Sequence, residues 1–568
     1  MTNAHKLLSE WLDRVQDDEL LAELRAMEAA GDEGAIADAF FQDLEFGTAG
    51  LRGIVGAGTN RMNVYTVGRA TQGFADYLVA NFAAPSVAIA RDSRVKGDVF
   101  VRVAAEVLAA NGVTVHVYPR VEPTPALSWA VRNLGCSGGI CMTASHNPAA
   151  YNGYKAYGPD GCQITTEAAR AISGAIRAVD AFLDVRRVDF DEALEAGLVR
   201  WIPERVLDEY VDAVADASLE PRIFPLDAQD SEKDDLKVVY TPLNGTGMEC
   251  VGRIFERIGV RDVAVVPEQE KPDGSFSTCP YPNPEERAAL ELGLALCEKV
   301  RPDLLIATDP DADRVGVAVA DGGDYVLLSG NEVGVLLLDY VARHRAERGE
   351  DLGRAVAVTT IVSSAMADAI AAEHGFELRR VLTGFKYIGE VIGRLEEADE
   401  ADRFIFGFEE SYGYLAGTHV RDKDAVVASM LICQLARELK REGRTLADAM
   451  RGLYERHGYF HNRTVSLSYP GAEGSARMAA IMARLREAAP AEVAGRVVER
   501  AVDYAPGVDD LPPADVVQFD LSGGAKLIVR PSGTEPKIKL YLFARGATAL
   551  EADSALDELE AAGRALLA

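Results

Sequence analysis

The sequence predicts an α/β protein of several units, closed by a smaller α+β unit at the C-terminus. Three observations carry this. The chain has 568 residues, more than one hydrophobic core can organise, so about three to five domains are expected. From Phe46 onward short β-rich runs alternate with helical ones in three successive rounds, the pattern of strands joined by helical crossovers in largely parallel sheets. Toward the C-terminus this alternation gives way to close-spaced strands and one terminal helix.

The segment before the first round is helical. Leu7, Leu8, Trp11, Leu12 and Val15 recur at helical spacing with acidic residues between them, which reads as a helix packed on the surface of the first unit. The first round places strands at Ser86–Ala90, Val113–Val117 and Gly139–Met142, with a helix at Phe100–Ala110. The second has strands at Leu236–Tyr240, Asp262–Val266, Asp303–Ala307 and Val315–Ala320, with a helix at Met248–Ile258. The third runs through Ala355–Val362, a helix at Ser364–His374, and Arg403–Phe408. In the last unit Val516–Leu521, Lys526–Val529 and Ile538–Phe543 are strands, and Thr548 is suited to cap the final helix. Boundaries near 205, 325 and 455 divide the chain into 1–205, 206–325, 326–455 and 456–568.

Lys and Arg number 59 against 89 Asp and Glu, a formal net charge of -30. Such a chain lacks the basic footprint of a nucleic-acid binder. If it binds an anionic small molecule, its cations must be gathered in one cleft. Seven cysteines, an odd number with no C-x-x-C pair, argue against a disulfide framework or zinc site and for a reducing compartment. The first ten residues lack the apolar core of a signal peptide, and no stretch is apolar enough to span a bilayer. The cytoplasm is the expected location, with no membrane partner.

Four stretches carry chemistry. In TDPDADR (308–314), Asp309, Asp311 and Asp313 occupy alternate positions after an apolar strand. Alternate side chains of an extended run point the same way, and three converging carboxylates suit a hard cation such as Mg²⁺. A solvated acidic turn is the other reading. A calcium EF-hand is excluded, because Arg314 and Ala320 stand where that loop needs Gly and Glu. In TASHNP (143–148), small residues precede Ser145 after a strand, as an exposed nucleophilic hydroxyl on a constrained loop requires. The same letters also describe a turn ended by proline. His146 is a candidate acid, base or phosphate donor, and Lys155 lies close enough in sequence to neutralise phosphate or move a proton.

In RPSGTEPK (530–537), Arg530 offers a planar fork, Ser532 and Thr534 offer hydroxyls, and Gly533 lets backbone amides approach an anion. This is a phosphate cradle or a common turn. In GFEESYGY (407–414), Glu409 and Ser411 alternate and can bond sugar hydroxyls. Arg421 and Lys423 follow in RDKDA, a pattern that also fits a surface ion-pair cluster. GCSGG (135–139) lacks the helix that a nucleophile elbow needs, NGTGMECVG (244–252) misses the dinucleotide spacing, and no P-loop is present.

In order and rough spacing, FGTAGLRG (46–53), TASHNP, DPDADR, GFEES and RPSGTEPK resemble the α-D-phosphohexomutase superfamily. The resemblance runs from about residue 40 to the C-terminus. GFEESYGY, TPLNGTG (241–247) and RDKDA resemble its phosphoglucomutase and phosphopentomutase branch. Cys162 in GPDGCQI, and Ala149 with Ala150 after NP, depart from the family pattern without touching a proposed catalytic atom.

The resemblance implies four domains around a central cleft: three related α/β domains and a smaller α+β one. They would carry in turn the phosphoserine, metal, sugar-binding and phosphate-binding loops. It implies that Ser145 carries a phosphoryl group and that Asp309, Asp311, Asp313 and the phosphoserine hold one Mg²⁺. Arg52, Lys155 and Arg314 would lie near the transferring group. Glu409 and Ser411 would contact the sugar. Arg530, Ser532, Gly533 and Thr534 would hold the distal phosphate, with Lys386, Arg421 and Lys423 helping to bind substrate.

The implied activity is a mutase interconverting sugar 1- and 6-phosphates, most naturally those of glucose, through a sugar bisphosphate that also serves as activator. Mannose and pentose phosphates are the alternatives for the sugar. A phosphosugar hydrolase and an inactive sugar-phosphate binding protein are the competing functions. A monomer or weak homo-oligomer is expected.

Overall fold

The computed structural model describes residues 3–47, 50–220, 236–469, 471–532 and 537–568. The N-terminal segment is three helices, Asn3–Arg14, Asp18–Ala30 and Glu33–Phe40, rather than one. Asp17 and Asp32 cap the second and third, and Gly31 ends the second at φ 61. They bury Leu8, Trp11, Leu24, Ile36 and Phe40 in a core of their own. They dock on the first unit where Gln16 N donates to Tyr65 Oη (2.7 Å) and Ala57 N to Glu23 Oε2 (3.0 Å).

The first sheet comprises β1 (Gly50–Ile54), β2 (Ser86–Arg91), β3 (Thr114–Val117), β4 (Gly138–Met142), β5 (Tyr151–Tyr157) and β6 (Val199–Trp201), in the order β1-β5-β4-β2-β3-β6. The second comprises β7 (Lys237–Thr241), β8 (Asp262–Val265), β9 (Leu304–Thr308), β10 (Val315–Asp321) and β11 (Asp324–Leu328), ordered β11-β10-β9-β7-β8. The third comprises β12 (Val356–Thr360), β13 (Glu377–Val381), β14 (Phe404–Glu409) and β15 (Gly413–Leu415), ordered β13-β12-β14-β15.

One unit recurs in all three sheets. Three parallel strands lie third-first-second, and the next strand runs antiparallel to the third. The sheets keep the expected parallel core and add antiparallel strands at one edge. The connections β4–β5, β9–β10 and β14–β15 are too short for a crossover, and a short connection leaves only the antiparallel choice. TASHNP, DPDADR and the end of GFEES sit in or beside those three connections, so the repeat brings three loops to equivalent places.

The fourth sheet comprises β16 (Tyr459–Ser468), β17 (Glu492–Val493), β18 (Arg496–Asp503), β19 (Val517–Leu521), β20 (Ala525–Pro531) and β21 (Lys537–Gly546). It is antiparallel, ordered β16-β21-β20-β19-β18-β17. Phe519, Leu527, Leu540 and Leu542 pack one face against Ile481, Leu485, Leu556 and Leu559 of two helices.

The first three units share one continuous core, including Leu127 and Tyr157, Val238 and Ile254, and Leu337, Phe406 and Leu431. The fourth has a separate core and meets the third where Tyr459 stacks on Tyr454 (5.1 Å) and at an apolar patch. There Ile361, Val362 and Leu382 face Val502, Tyr504, Ile528 and Tyr541. All seven cysteines are buried and unbridged. Among the described residues no helix is long and apolar enough to cross a membrane.

Candidate active site

The loop after β4 carries Ser145 in a left-handed backbone conformation, φ 52, unusual for a residue with a side chain. Its N–H donates to Thr143 Oγ1 (2.8 Å), whose hydroxyl donates to Asp92 Oδ2 (2.6 Å). Beneath the loop Arg94 is fully buried. Its guanidinium donates to the backbone oxygens of Ser145, Asn147, Pro148 (2.9 Å) and Tyr151 (2.8 Å), and Nε lies 3.2 Å from Asp92 Oδ2. Burial pushes the Asp92 carboxyl up to about 6, against the pull of Arg94 and Thr143.

The loop after β9 gathers its carboxylates differently from the expectation. A tight turn, with Ala312 at φ 49, does what an extended run was expected to do. Ligand atoms of Asp309, Asp311 and Asp313 all lie within 4.8 Å of one another, buried. Asp309 Oδ1 accepts from the N–H groups of Asp313 (3.1 Å) and Arg314 (3.0 Å). Asp309 Oδ2 accepts from Ser145 Oγ (2.8 Å), which lies 3.2 Å from His146 Nδ1. Asp311 Oδ2 accepts from Thr124 Oγ1 (2.8 Å) and Lys155 Nζ (2.7 Å), and Asp313 Oδ2 from Lys155 Nζ (3.1 Å). Lys423 Nζ is 3.2 Å from Asp313 Oδ2.

Two buried oxygens, Asp311 Oδ1 and Asp313 Oδ1, accept no hydrogen bond among the described residues. Burial, then Asp311 and Asp313, push Asp309 well above the ordinary carboxylate range. Against burial, Lys155, Asp309 and Thr124 hold Asp311 below it. Burial likewise opposes the charge of Lys155, but Asp311 and Asp313 outweigh it and keep the ammonium protonated. Orphaned buried oxygens and a carboxyl disfavoured as an anion fit an all-oxygen seat for a cation. The triad can bind a metal ion.

These groups open into a cleft of about 570 Å³. Arg52, Ser145, His146, Lys155, Asp313, Arg314, Glu409, Ser411, Lys423 and Arg530 all line it, so side chains from the four units meet there. Arg52 Nη1 donates to Asn147 Oδ1 (3.2 Å), and Arg314 Nη1 to Glu285 Oε1 (2.5 Å). Burial, with Arg314 and Arg52 nearby, holds His146 well below the usual imidazole range, so it is neutral. Glu409, at the end of β14, accepts from Gly384 N (2.7 Å); burial pushes it up to about 7 against the pull of Lys423. On the fourth sheet Ser466, Lys539 and Arg530 stand in one cross-strand row, and all three line the cleft.

Other expected residues lie elsewhere. Lys386, in the helix Phe385–Glu397, is buried with its ammonium 5.1 Å from the Tyr387 ring. Arg421 corrects the expectation that it binds substrate. Its side chain is fully buried, donating to the carbonyls of Thr418 and Val420 and to Glu396 Oε2 (2.7 Å). Ser532 N donates to Lys537 O (2.8 Å) between the ends of β20 and β21; Gly533 and Thr534 lie outside the described residues.

Sequence reasoning missed Arg94, Thr124, Glu285, Tyr281 and Lys539. Lys539 carries a signal, two residues before cleft-lining Tyr541 on one strand. Thr124 and Arg94 carry none, because their partners are distant in the chain.

Three family domains match the chain, described as Phosphoglucomutase/phosphomannomutase, alpha/beta/alpha domain I over residues 43–182, domain II over 208–322 and domain III over 329–457. A phosphoglucomutase of Staphylococcus epidermidis is 37% identical over 511 residues, covering 88% of this chain and 90% of its own. A putative phosphomannomutase of Thermus thermophilus shares the fold at TM-score 0.67 and 22% identity, covering 93% of this chain and 99% of its own. An Aspergillus fumigatus N-acetylphosphoglucosamine mutase, solved in complex with GlcNAc-6P and magnesium, shares it at TM-score 0.52 and 14% identity over 100% of both chains. With the repeated sheets and the four-sided cleft, these matches assign the chain to the phosphoglucomutase/phosphomannomutase family of the α-D-phosphohexomutase superfamily: it is a phosphosugar mutase, an isomerase.

Proposed function

We propose that this mutase interconverts α-D-glucose 1-phosphate and glucose 6-phosphate in the cytoplasm, with Ser145 as phosphoryl carrier. The observation that carries the reading is Ser145 Oγ, presented on a strained loop 2.8 Å from Asp309 Oδ2 at the floor of the cleft. The likeness to a phosphoglucomutase supports glucose as the sugar.

Asp309, Asp311 and Asp313, with the phosphorylated Ser145, would hold one Mg²⁺. The fungal relative's magnesium supports that choice of ion. When bound, the ion supplies charge stabilisation at the transferring phosphoryl oxygens. The chain's own groups do the rest. Arg52, Lys155 and Arg314 face the reacting end and balance the phosphoryl charge. The sugar hydroxyl loses a proton as Ser145 Oγ gains one, and neutral His146 lies within reach of Oγ to carry it.

Glu409 and Ser411 bind sugar hydroxyls, while Arg530, beside Lys539, grips the phosphate that is not reacting. The bisphosphate then turns end over end, and its other phosphate returns to Ser145. Four domains divided near 205, 325 and 455 would share these tasks. A coupled assay with glucose 1-phosphate, with and without glucose bisphosphate, tests the reading. Activation by bisphosphate and a phosphoryl adduct on Ser145 are expected; release of inorganic phosphate instead would make the protein a hydrolase.

A further inference from the structure

Arg94 is the least expected residue near the reacting centre. It touches neither the cleft nor any reacting atom, yet it is fully buried, its two Nη groups are spent on one short stretch of backbone, and Nε faces Asp92 Oδ2 at 3.2 Å. Four carbonyl oxygens, those of Ser145, Asn147, Pro148 and Tyr151, converge on its guanidinium. A planar fork is one of few groups able to satisfy so many acceptors at once. The loop it gathers is the one in which Ser145 adopts φ 52, a conformation that persists only when the surroundings over-determine it.

A second contact reaches Arg94 from another unit. The long connection between β8 and β9 brings Phe276, itself fully buried, under the guanidinium, 4.9 Å from ring centroid to Cζ. The approach is close. A Cβ on Gly274 would lie 2.5 Å from Ser93 O and 2.6 Å from Val95 N. The same connection carries Tyr281, edge-on to His146 at 6.0 Å, and Glu285, which pairs with Arg314.

We propose that Arg94, stacked on Phe276, is a positioning residue that registers the Ser145 loop of the first unit against the carboxylate loop of the second. The inference rests on the reading of Ser145 as phosphoryl carrier. Ser145 Oγ must reach the same point relative to Asp309 in every turnover, and these two residues join the backbone around Oγ to the unit that carries Asp309. Arg94 sets the position of the serine and leaves substrate binding alone. Its loss therefore falls on kcat and on phosphoryl loading rather than on KM.

The test uses the full-length protein, Arg94→Lys and Phe276→Leu. Phosphoryl loading of Ser145 from glucose bisphosphate is followed by rapid quench and intact mass, beside steady-state kinetics and thermal unfolding. Lysine keeps the charge but cannot span the carbonyls; leucine keeps apolar bulk but removes the ring. Loading rate per folded molecule and kcat should fall together, about 10–100-fold for Arg94→Lys and less for Phe276→Leu, with KM within about twofold of wild type. If Arg94→Lys does not fold, Phe276→Leu decides alone. A lowered Tm with an unchanged loading rate would mean that the pair only stabilises the fold, and the proposal would fall. Should wild-type Ser145 take up no phosphoryl group, the reading of Ser145 fails first and this inference with it. If wild type loads and the variants load equally fast, the inference alone is overturned.

Discussion

The first three sheets and the fourth sheet reach the cleft by different routes. Each of the first three offers the connection, or its edge, between its third parallel strand and the antiparallel strand beside it. Those connections are short, Ser145, Asp309, Asp311, Asp313 and Glu409 are buried in or beside them, and the units behind them share one core. The fourth instead offers the open face of an antiparallel sheet, where Ser466, Lys539 and Arg530 align across three strands. Its core is separate, and it meets the third unit at an apolar patch and where Tyr459 stacks on Tyr454. Under the proposed mechanism, groups that must meet within ångströms lie on a shared rigid foundation, and groups that would grip a turning ligand lie on a separately founded wall.

The sharpest way to break this comparison is at Ser145. Ser145→Ala should lower turnover at least about a thousandfold with the fold intact, as loss of a nucleophile does. Intact mass should show the wild-type phosphoryl adduct gone; a fully active alanine variant would overturn the assignment. Next comes the cation seat. Chelation should abolish activity and Mg²⁺ should restore it, and Asp311→Asn should weaken Mg²⁺ affinity in a titration. Activity that persists in chelator would leave the triad without a metal role.

The fourth wall should respond differently. Arg530→Ala should raise KM and lower kcat together, because remote binding energy orients the reacting end. Losing a charge-assisted fork contact costs on the order of 1.5–3 kcal/mol. The variant should also depend more on added bisphosphate, as the intermediate escapes. Kinetics equal to wild type would remove the fourth unit from substrate binding.

The smallest effect on activity is expected at the apolar patch. Ile361→Ala should cost about 2–4 kcal/mol of stability while changing kcat less than Arg530→Ala does. Calorimetry should show the fourth unit unfolding earlier with the shared core little changed; a single transition shifted as a whole would mean the four units are one cooperative block.

Much of the site was legible because its chemistry is concentrated in short motifs. Ser145, the three aspartates and Lys155 stand where their neighbours in sequence advertise them, and the geometry brings them together. Legibility ended where a role depends on distant partners. Arg94 sits in RDSR, an ordinary loop composition, and only the folded chain delivers four carbonyls from a later loop. Arg421 is held by Glu396, 25 residues earlier in the chain, a partner that RDKDA alone does not show. The antiparallel strands were deducible from connection length, but hydrophobic pattern carries no sign for strand direction. The three N-terminal helices were marked by Asp17, Gly31 and Asp32, short-range signals that the apolar spacing overshadowed.

The left-handed backbone at Ser145 also dictates which hydroxyl amino acid can serve there. Threonine carries the same oxygen and the same chemistry, yet a β-branched residue at φ 52 is a genuine steric outlier. Ser145→Thr should therefore either unwind the loop or withdraw the oxygen from Asp309. The choice of serine is then made by the main chain, before any question of reactivity arises.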